Sequence, residues 1–413
     1  MVNLLIHLLF ITTTIGMILM EFGSFGKTID QYGYFNGATF SYLFFWMIFY
    51  LCYYGVQKYN FVLNKRVVNT ISTPIIYSNK YIYKLLIIIF VFTTFFLFIQ
   101  LFLFNGIAVL SGTMIKNEFR TTGVSNGLLA FGLLKFYGPA LGALATYFFV
   151  KTENKKKMMY VLLLLIYFDL FILGLSWGYK SSGITILFPS LALLFYRISY
   201  MKFFILFAVA ISLFAFLSIQ FDTSVVQINS YWDALIFVLE RITLYQSEVP
   251  WKIWDSYINS VSLPGYLSTL VGLFGNAIPK LFNISTDYIS SNYGLVVTYF
   301  VYPYENNILN GFNVTSTFYS ESLIAFGYLG LIIFPIIGGL LAGIVVKRIY
   351  LNNKNNKPIN TILLLIIFFS CIFVWMSSGG ITSLFHISVF FHISMLYILL
   401  KLVLFIINIK IRN

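Results

Sequence analysis

FDTSVVQINSYWDALIFVLERITLYQSEVPWKIWDSY (221–257) opens the longest stretch of the chain that does not read as a continuous membrane span, and that stretch runs on to Asn313. Its charges come as Glu240-Arg241, then Glu248, Lys252 and Asp255. An apolar run ending at Lys280 follows, then YPYENN (302–307) and GFNVTSTFYSE (311–321), which leads into the next apolar run. A loop this long in a compact protein is normally functional or disordered. Trp232, Trp251, Trp254 and many tyrosines argue against disorder. The stretch 221–313 therefore reads as a lid or working face that carries amphipathic helices. The rest of the chain is hydrophobic helix with short connections.

Composition sets the class. Charged residues make up 9% of the 413 and hydrophobic residues 60%, and the mean hydropathy is +0.88. Soluble domains are about a quarter charged, so a single soluble core is excluded. The expectation is all-α: one polytopic integral membrane domain over 1–413. Cys52 and Cys371 both sit in apolar runs, which suggests neither a disulfide framework nor a metal site. His7, His386 and His392 lack metal-ligand spacing. No metal, cofactor or nucleic-acid partner is expected. The first apolar helix has no basic segment before it and no small-residue cleavage site after it, so it reads as retained.

Runs long enough to cross about 30 Å of hydrocarbon fall at 3–20, 36–56, 83–105, 127–150, 157–175, 183–199, 202–220, 318–346, 360–377 and 385–409, about ten spans in all. The long stretch lies between the seventh and the eighth. Placing the N-terminus in the cytoplasm and alternating sides gathers most of the lysines and arginines on one side and nearly all the acids on the other. That is the distribution the positive-inside rule requires, and it accounts for the net charge of +13. Both termini are then cytoplasmic and the 221–313 loop is outside. No internal repeat is visible, which weakens an inverted-repeat transporter reading.

Cations that remain on the outer side, or within spans, are candidates for a job, because an ionisable group at membrane depth is costly. Arg120 lies in KNEFRTTG after the third span, either in an ion pair with Glu118 or holding an anion. Lys135 lies two turns into the fourth span in GLLKFYGPAL, either snorkelling or binding. Lys180 occupies a Gly/Ser-rich turn, GYKSSG, which is either a plain hairpin or a backbone anion site. Arg241 lies among apolar neighbours on a helix expected at the membrane surface, and Lys280 in NAIPKLF can reach a headgroup. Arginine and lysine hold phosphates without a metal, and a lipid diphosphate is the natural anion at that depth. The acid/base candidates are Glu321, which can also be a dipole-favoured acid at a helix start, and His386, with His392 six residues deeper. The bland alternative for these imidazoles is a core histidine with a backbone partner. Asp169 reads as structural, paired with a Tyr or Trp. Tyr302, Tyr304, Asn306 and Tyr319 offer flat apolar faces and polar tips suited to sugar rings, and equally to a membrane-interface belt.

In this order of features the chain resembles the Wzy-type O-antigen polymerases, which join oligosaccharide repeat units of bacterial surface glycans. The features are Arg120 after the third span, GLLKFYGPAL, GYKSSG, LERITLYQSE, NAIPKLF and the closing STFYSESLIAFGYLGLIIFPIIGGLLAG. The last block is the most specific. Two features depart from the pattern: a lysine at 180 where an arginine is expected, and SLFHIS where an arginine-bearing segment is expected to open the final span. The resemblance implies a GT-C-like, metal-independent glycosyltransferase of the bacterial inner membrane with its active site facing the periplasm. It would take undecaprenyl-diphosphate-linked oligosaccharides as donor and acceptor and have a Wzz-type chain-length regulator as partner. It also implies that Arg241, with Arg120, Lys135 or Lys180, holds the diphosphate, and that Glu321 or His386 activates the acceptor hydroxyl. The rival readings are an O-antigen ligase and a lipid-linked oligosaccharide flippase.

Overall fold

The computed structural model describes residues 1–23, 34–58, 79–113, 128–153, 155–177, 182–196, 199–221, 230–260, 297, 316–385 and 387–406. Every regular element among them is helical, and eight helices are long and apolar enough to cross a membrane. The protein is thus a multi-pass membrane protein, all-helical over the described residues. Its chain divides into two compact units, each assembled from separate stretches of sequence. The first comprises Met1–Gly55, Arg197–Leu341 and Phe373–His386, and the second Val56–Tyr196, Ala342–Ile372 and Ile387–Asn413.

In the first unit, α1 (Val2–Glu21), α2 (Ala38–Lys58) and α10 (Tyr200–Phe221) pack with α11 (Tyr231–Ile258) and α12 (Phe318–Phe326). α11 is the structured opening of the long loop. Ser230 caps it by accepting from the Asp233 amide at 3.1 Å, and its hydroxyl donates back to Asp233 Oδ2 at 2.8 Å. These contacts satisfy an otherwise orphaned first-turn amide. The helix runs 28 residues, ~42 Å at 1.5 Å per residue. Its principal partner is α1. Gly16 lets the two backbones meet there, and a Cβ at that position would lie 2.1 Å from Ser247 Oγ and 2.3 Å from the Thr243 carbonyl. Ser247 Oγ donates to the Thr13 carbonyl at 2.8 Å. Close approach at small residues is how membrane helices bind one another when lipid removes the hydrophobic drive. The expected surface helix therefore buries much of its apolar stripe against protein.

The expected span at 318–346 is not one helix. The apolar segment Phe318–Lys354 is 37 residues long, ~55 Å if continuous. It breaks at Gly327–Leu329 into α12 and α13 (Gly330–Lys354). Gly327 sits at φ +57, and a side chain there would meet the Tyr257 hydroxyl at 2.3 Å. The Tyr257 hydroxyl in turn accepts the Tyr328 amide at 3.2 Å.

In the second unit, α3 (Asn79–Phe98), α6 (Gly138–Lys151), α7 (Lys157–Leu175), α14 (Pro358–Ile367) and α17 (Ile387–Ile406) form the scaffold. The expected sixth span, 183–199, is instead two short helices, α8 (Ser182–Thr185) and α9 (Phe188–Leu194). They are held by backbone-close contacts. A Cβ at Gly174 would lie 2.6 Å from Gly183 Cα, and one at Gly142 would lie 2.7 Å from Ser190 Oγ. α10, at 22 residues, has the length of the expected seventh span, though its described apolar part is Met201–Phe216. Lysines finish helix ends by donating to terminal carbonyls: Lys347 Nζ to Val56 at 2.9 Å and Lys151 Nζ to Asn353 at 3.3 Å.

Gly16→Val is expected to destabilise the protein by about 1–3 kcal/mol through overpacking of the α1–α11 contact. Gly55→Ala, with nothing within 4 Å of the new carbon, should be neutral or stabilising. Thermal unfolding of the two variants in detergent checks the pair, and equal midpoints would remove the Gly16 contact from the account.

Candidate functional site

The described candidates divide between the two units, and each is built differently. In the first unit the central group is Glu321, in the first turn of α12 and fully buried. Oε2 accepts the Trp375 indole N–H at 2.7 Å and the Gly380 amide at 3.1 Å, and Oε1 accepts the Ile381 amide at 2.8 Å. Trp375 lies on α15 (Phe373–Ser378), and the two amides belong to the turn that leads to α16 (Thr382–Phe385). Gly379 and Gly380 sit at φ +68 and +80, a region that glycine enters without steric cost. That conformation aims successive N–H groups at one oxygen pair, as in backbone anion sites. Glu321 is therefore the clasp of this turn. In this arrangement it shows no free face to a substrate hydroxyl, unlike the base the sequence suggested.

Tyr319 is also fully buried. Its hydroxyl pairs with Ser41, and its ring meets Phe45 edge-on at 5.5 Å and Tyr42 at 5.2 Å. It belongs to the α2–α12 core and offers no surface to a sugar. Arg241 is exposed on α11, with its guanidinium over the Phe237 ring at 5.4 Å. At one end of the same helix, Trp254 donates to the Asn36 carbonyl at 2.9 Å and Asn36 donates to Asp255 at 3.1 Å. Burial and the neighbouring Asp255 carboxylate push the Tyr34 hydroxyl up to about 12.

In the second unit the centre is Lys135. The sequence from α5 (Leu128–Gly132) into α6 passes through one turn of π-helix, Leu133–Tyr137, which carries this lysine. Two further π turns occur among the described residues of this unit: Ile99–Leu103 follows α3, and Phe368–Ile372 follows α14 and carries Ser370 and Cys371. The Ser370 hydroxyl donates to the Lys135 carbonyl, which supplies a partner where π geometry disturbs the regular ladder. Such turns mark functional places in helices more often than chance. Lys135 is largely buried and within electrostatic reach of the Cys371 thiol. Among the described residues, no carboxylate pairs with it. Tyr137, two residues on, bonds through its hydroxyl to His392 Nδ1 at 2.9 Å. The partner of His392 is thus a side chain and not the backbone. Asp169 accepts from Thr94 at 2.7 Å and Thr93 at 3.3 Å, and not from the expected Tyr or Trp.

Arg120, Lys180, Lys280, Tyr302, Tyr304, Asn306 and His386 lie outside the described residues. Among the described residues no cluster of ligands fits a metal ion. The Tyr137–His392 pair and the three described π turns escape sequence reasoning, since a single extra residue in a helical turn leaves no mark on composition. Compared with known proteins, the chain matches no family model, no curated protein and no solved structure.

Glu321→Gln keeps the shape but turns an NH₂ toward buried N–H donors. A loss of about 2–3 kcal/mol is expected, because hydrogen bonds to a charged acceptor are lost and a donor is stranded. Faster proteolytic cutting between Ser378 and Ile381 in Glu321→Gln would show the turn released. Cutting at the wild-type rate together with an unchanged unfolding midpoint would disprove the clasp.

Proposed function

We propose that this chain is a membrane glycosyltransferase of the Wzy polymerase type. It transfers a growing glycan from undecaprenyl diphosphate onto the next lipid-linked repeat unit. The observation that carries the reading is Lys135: a cation inside a membrane helix, set on a π turn, with no carboxylate partner among the described residues. Keeping such a charge in a span is costly, and an anion that arrives with the substrate offsets the cost. A diphosphate whose lipid tail stays in the bilayer meets that requirement without a metal. As the glycosidic bond breaks, negative charge grows on the departing diphosphate. A fixed ammonium in a low-dielectric site stabilises that charge more than it stabilises the bound substrate.

The remaining assignments follow from the same reading. The charge distribution along the sequence supports cytoplasmic termini and a transfer site on the periplasmic side of the inner membrane. Arg241, exposed on α11 in the first unit, is a separate candidate for an anion contact, and Arg241→Ala at normal protein level tests it by itself. Glu321 acts by positioning the turn around Gly380. A Wzz-type chain-length regulator is the expected partner. A flippase for lipid-linked oligosaccharide is the second reading, and the interrupted pair α8–α9 favours it.

Deleting the gene in its own strain and separating the surface glycan on a gel tests the proposal. A polymerase deletion reduces a ladder to core plus one repeat, whereas a flippase or ligase deletion removes the glycan from the core entirely. Lys135→Ala, at normal protein level, is expected to reproduce the deletion, and Lys135→Arg to retain part of the ladder. A full ladder from Lys135→Ala removes the lysine from the site.

A further inference from the structure

Among the described residues with a buried polar atom that has no hydrogen-bond partner, His392 is the one imidazole. It is 1% exposed, and its Nδ1 is engaged by Tyr137 while its Nε2 has no hydrogen-bond partner. Buried polar atoms are nearly always paired, so an unpaired one on a titratable ring asks for a use. The ring is held from several sides. It stacks on Phe136 at 5.2 Å and 18°, and meets Tyr137 at 5.5 Å. Gly132 makes the room, because a Cβ there would lie 2.6 Å from His392 Cε1. The position is near the start of two spans, Leu129–Lys151 and Ser388–Ile406, and so at the same end of the unit as Lys135.

Resting on the reading above, we infer that His392 Nε2 is the proton acceptor for the attacking hydroxyl, with Tyr137 as its positioning residue. In the tautomer with the proton on Nδ1, that N–H donates to the Tyr137 oxygen and the lone pair sits on Nε2. The acceptor-glycan oxygen forms its bond to the anomeric carbon of the donor, and its proton passes to Nε2. The bond from that carbon to the diphosphate oxygen breaks, and its electron pair leaves on the diphosphate beside Lys135. The imidazolium then returns its proton to water. The alternative carboxylate, Glu321, already points its oxygens at three N–H donors.

The test uses the full-length protein, first in its own strain and then purified into liposomes. The liposome substrate is repeat-unit lipid extracted from the deletion strain. His392→Gln is expected to collapse the ladder to single repeats and to lower turnover by ~10²- to 10⁴-fold, the usual contribution of a general base. Its membrane level and its affinity for undecaprenyl diphosphate should stay within about two-fold of wild type, since a base removed from the reaction leaves donor binding alone. Tyr137→Phe should lower kcat by roughly ten-fold with KM unchanged, the signature of a mis-set base and not of lost binding. A full ladder from His392→Gln at normal protein level overturns the inference. If His392→Gln does not accumulate, unchanged kcat in Tyr137→Phe overturns it instead. A gene deletion that leaves the ladder intact removes the polymerase reading itself. A ladder lost on deletion but kept in His392→Gln removes only the role of His392.

Discussion

Three N–H groups converge on one buried carboxylate, and the first unit is arranged around that convergence. Glu321 sits in a span where an unpaired negative charge would be costly. The indole of Trp375 and two successive backbone amides offset part of that cost. The amides can reach it only because Gly379 and Gly380 take positive φ. Once the clasp is closed, Trp375 is held against Phe318 at 5.5 Å and Phe334 at 5.8 Å. Phe318 in turn packs on Phe45 at 4.6 Å and Trp46 at 5.5 Å. Ring pairs of this kind contribute about 0.5–1.5 kcal/mol each beyond their contact area, so the polar clasp and the aromatic core reinforce one another.

The second unit obeys the same constraint with the opposite outcome. Asp169 is quenched by two threonine hydroxyls. Tyr167 is engaged by Thr146 at 2.7 Å. Lys135 has neither kind of partner among the described residues, and one nitrogen of His392 is unpaired. Degree of satisfaction therefore divides the ionisable groups: Glu321 and Asp169 find their partners within the fold, and Lys135 and one nitrogen of His392 find none among the described residues.

The sequence makes the membrane class, the apolar runs and the break-prone GYLG block legible, because these follow from composition and local backbone preference. Lys135 stands out for the same reason, as a charge in an apolar run. Where the sequence reading falls short, the missing information is tertiary. Nothing local distinguishes a tyrosine that offers its ring to a sugar from Tyr319, whose ring is sealed between Tyr42 and Phe45. The acid at 321 looks like a free base until its donors, more than fifty residues further along the chain, are placed beside it. The break in 183–199 has a local cause in Pro189, which opens α9, and the surfaces that receive the two short helices come from Gly142 and Gly174 in neighbouring helices.

Those two glycines bear on how the protein is made. At four and seven residues, α8 and α9 are each far shorter than the ~20 residues a helix needs to partition into a bilayer unaided. Their exposed backbone ends cannot face hydrocarbon, and the surfaces that receive them belong to α6 and α7. The pair has a place in the membrane only after its neighbours have one, so its entry is a step of assembly and not of insertion from the translocon. A bulky residue at Gly142 or Gly174 would act at that moment in biogenesis, and its signature would be a chain cleared by quality control before it reaches its folded state.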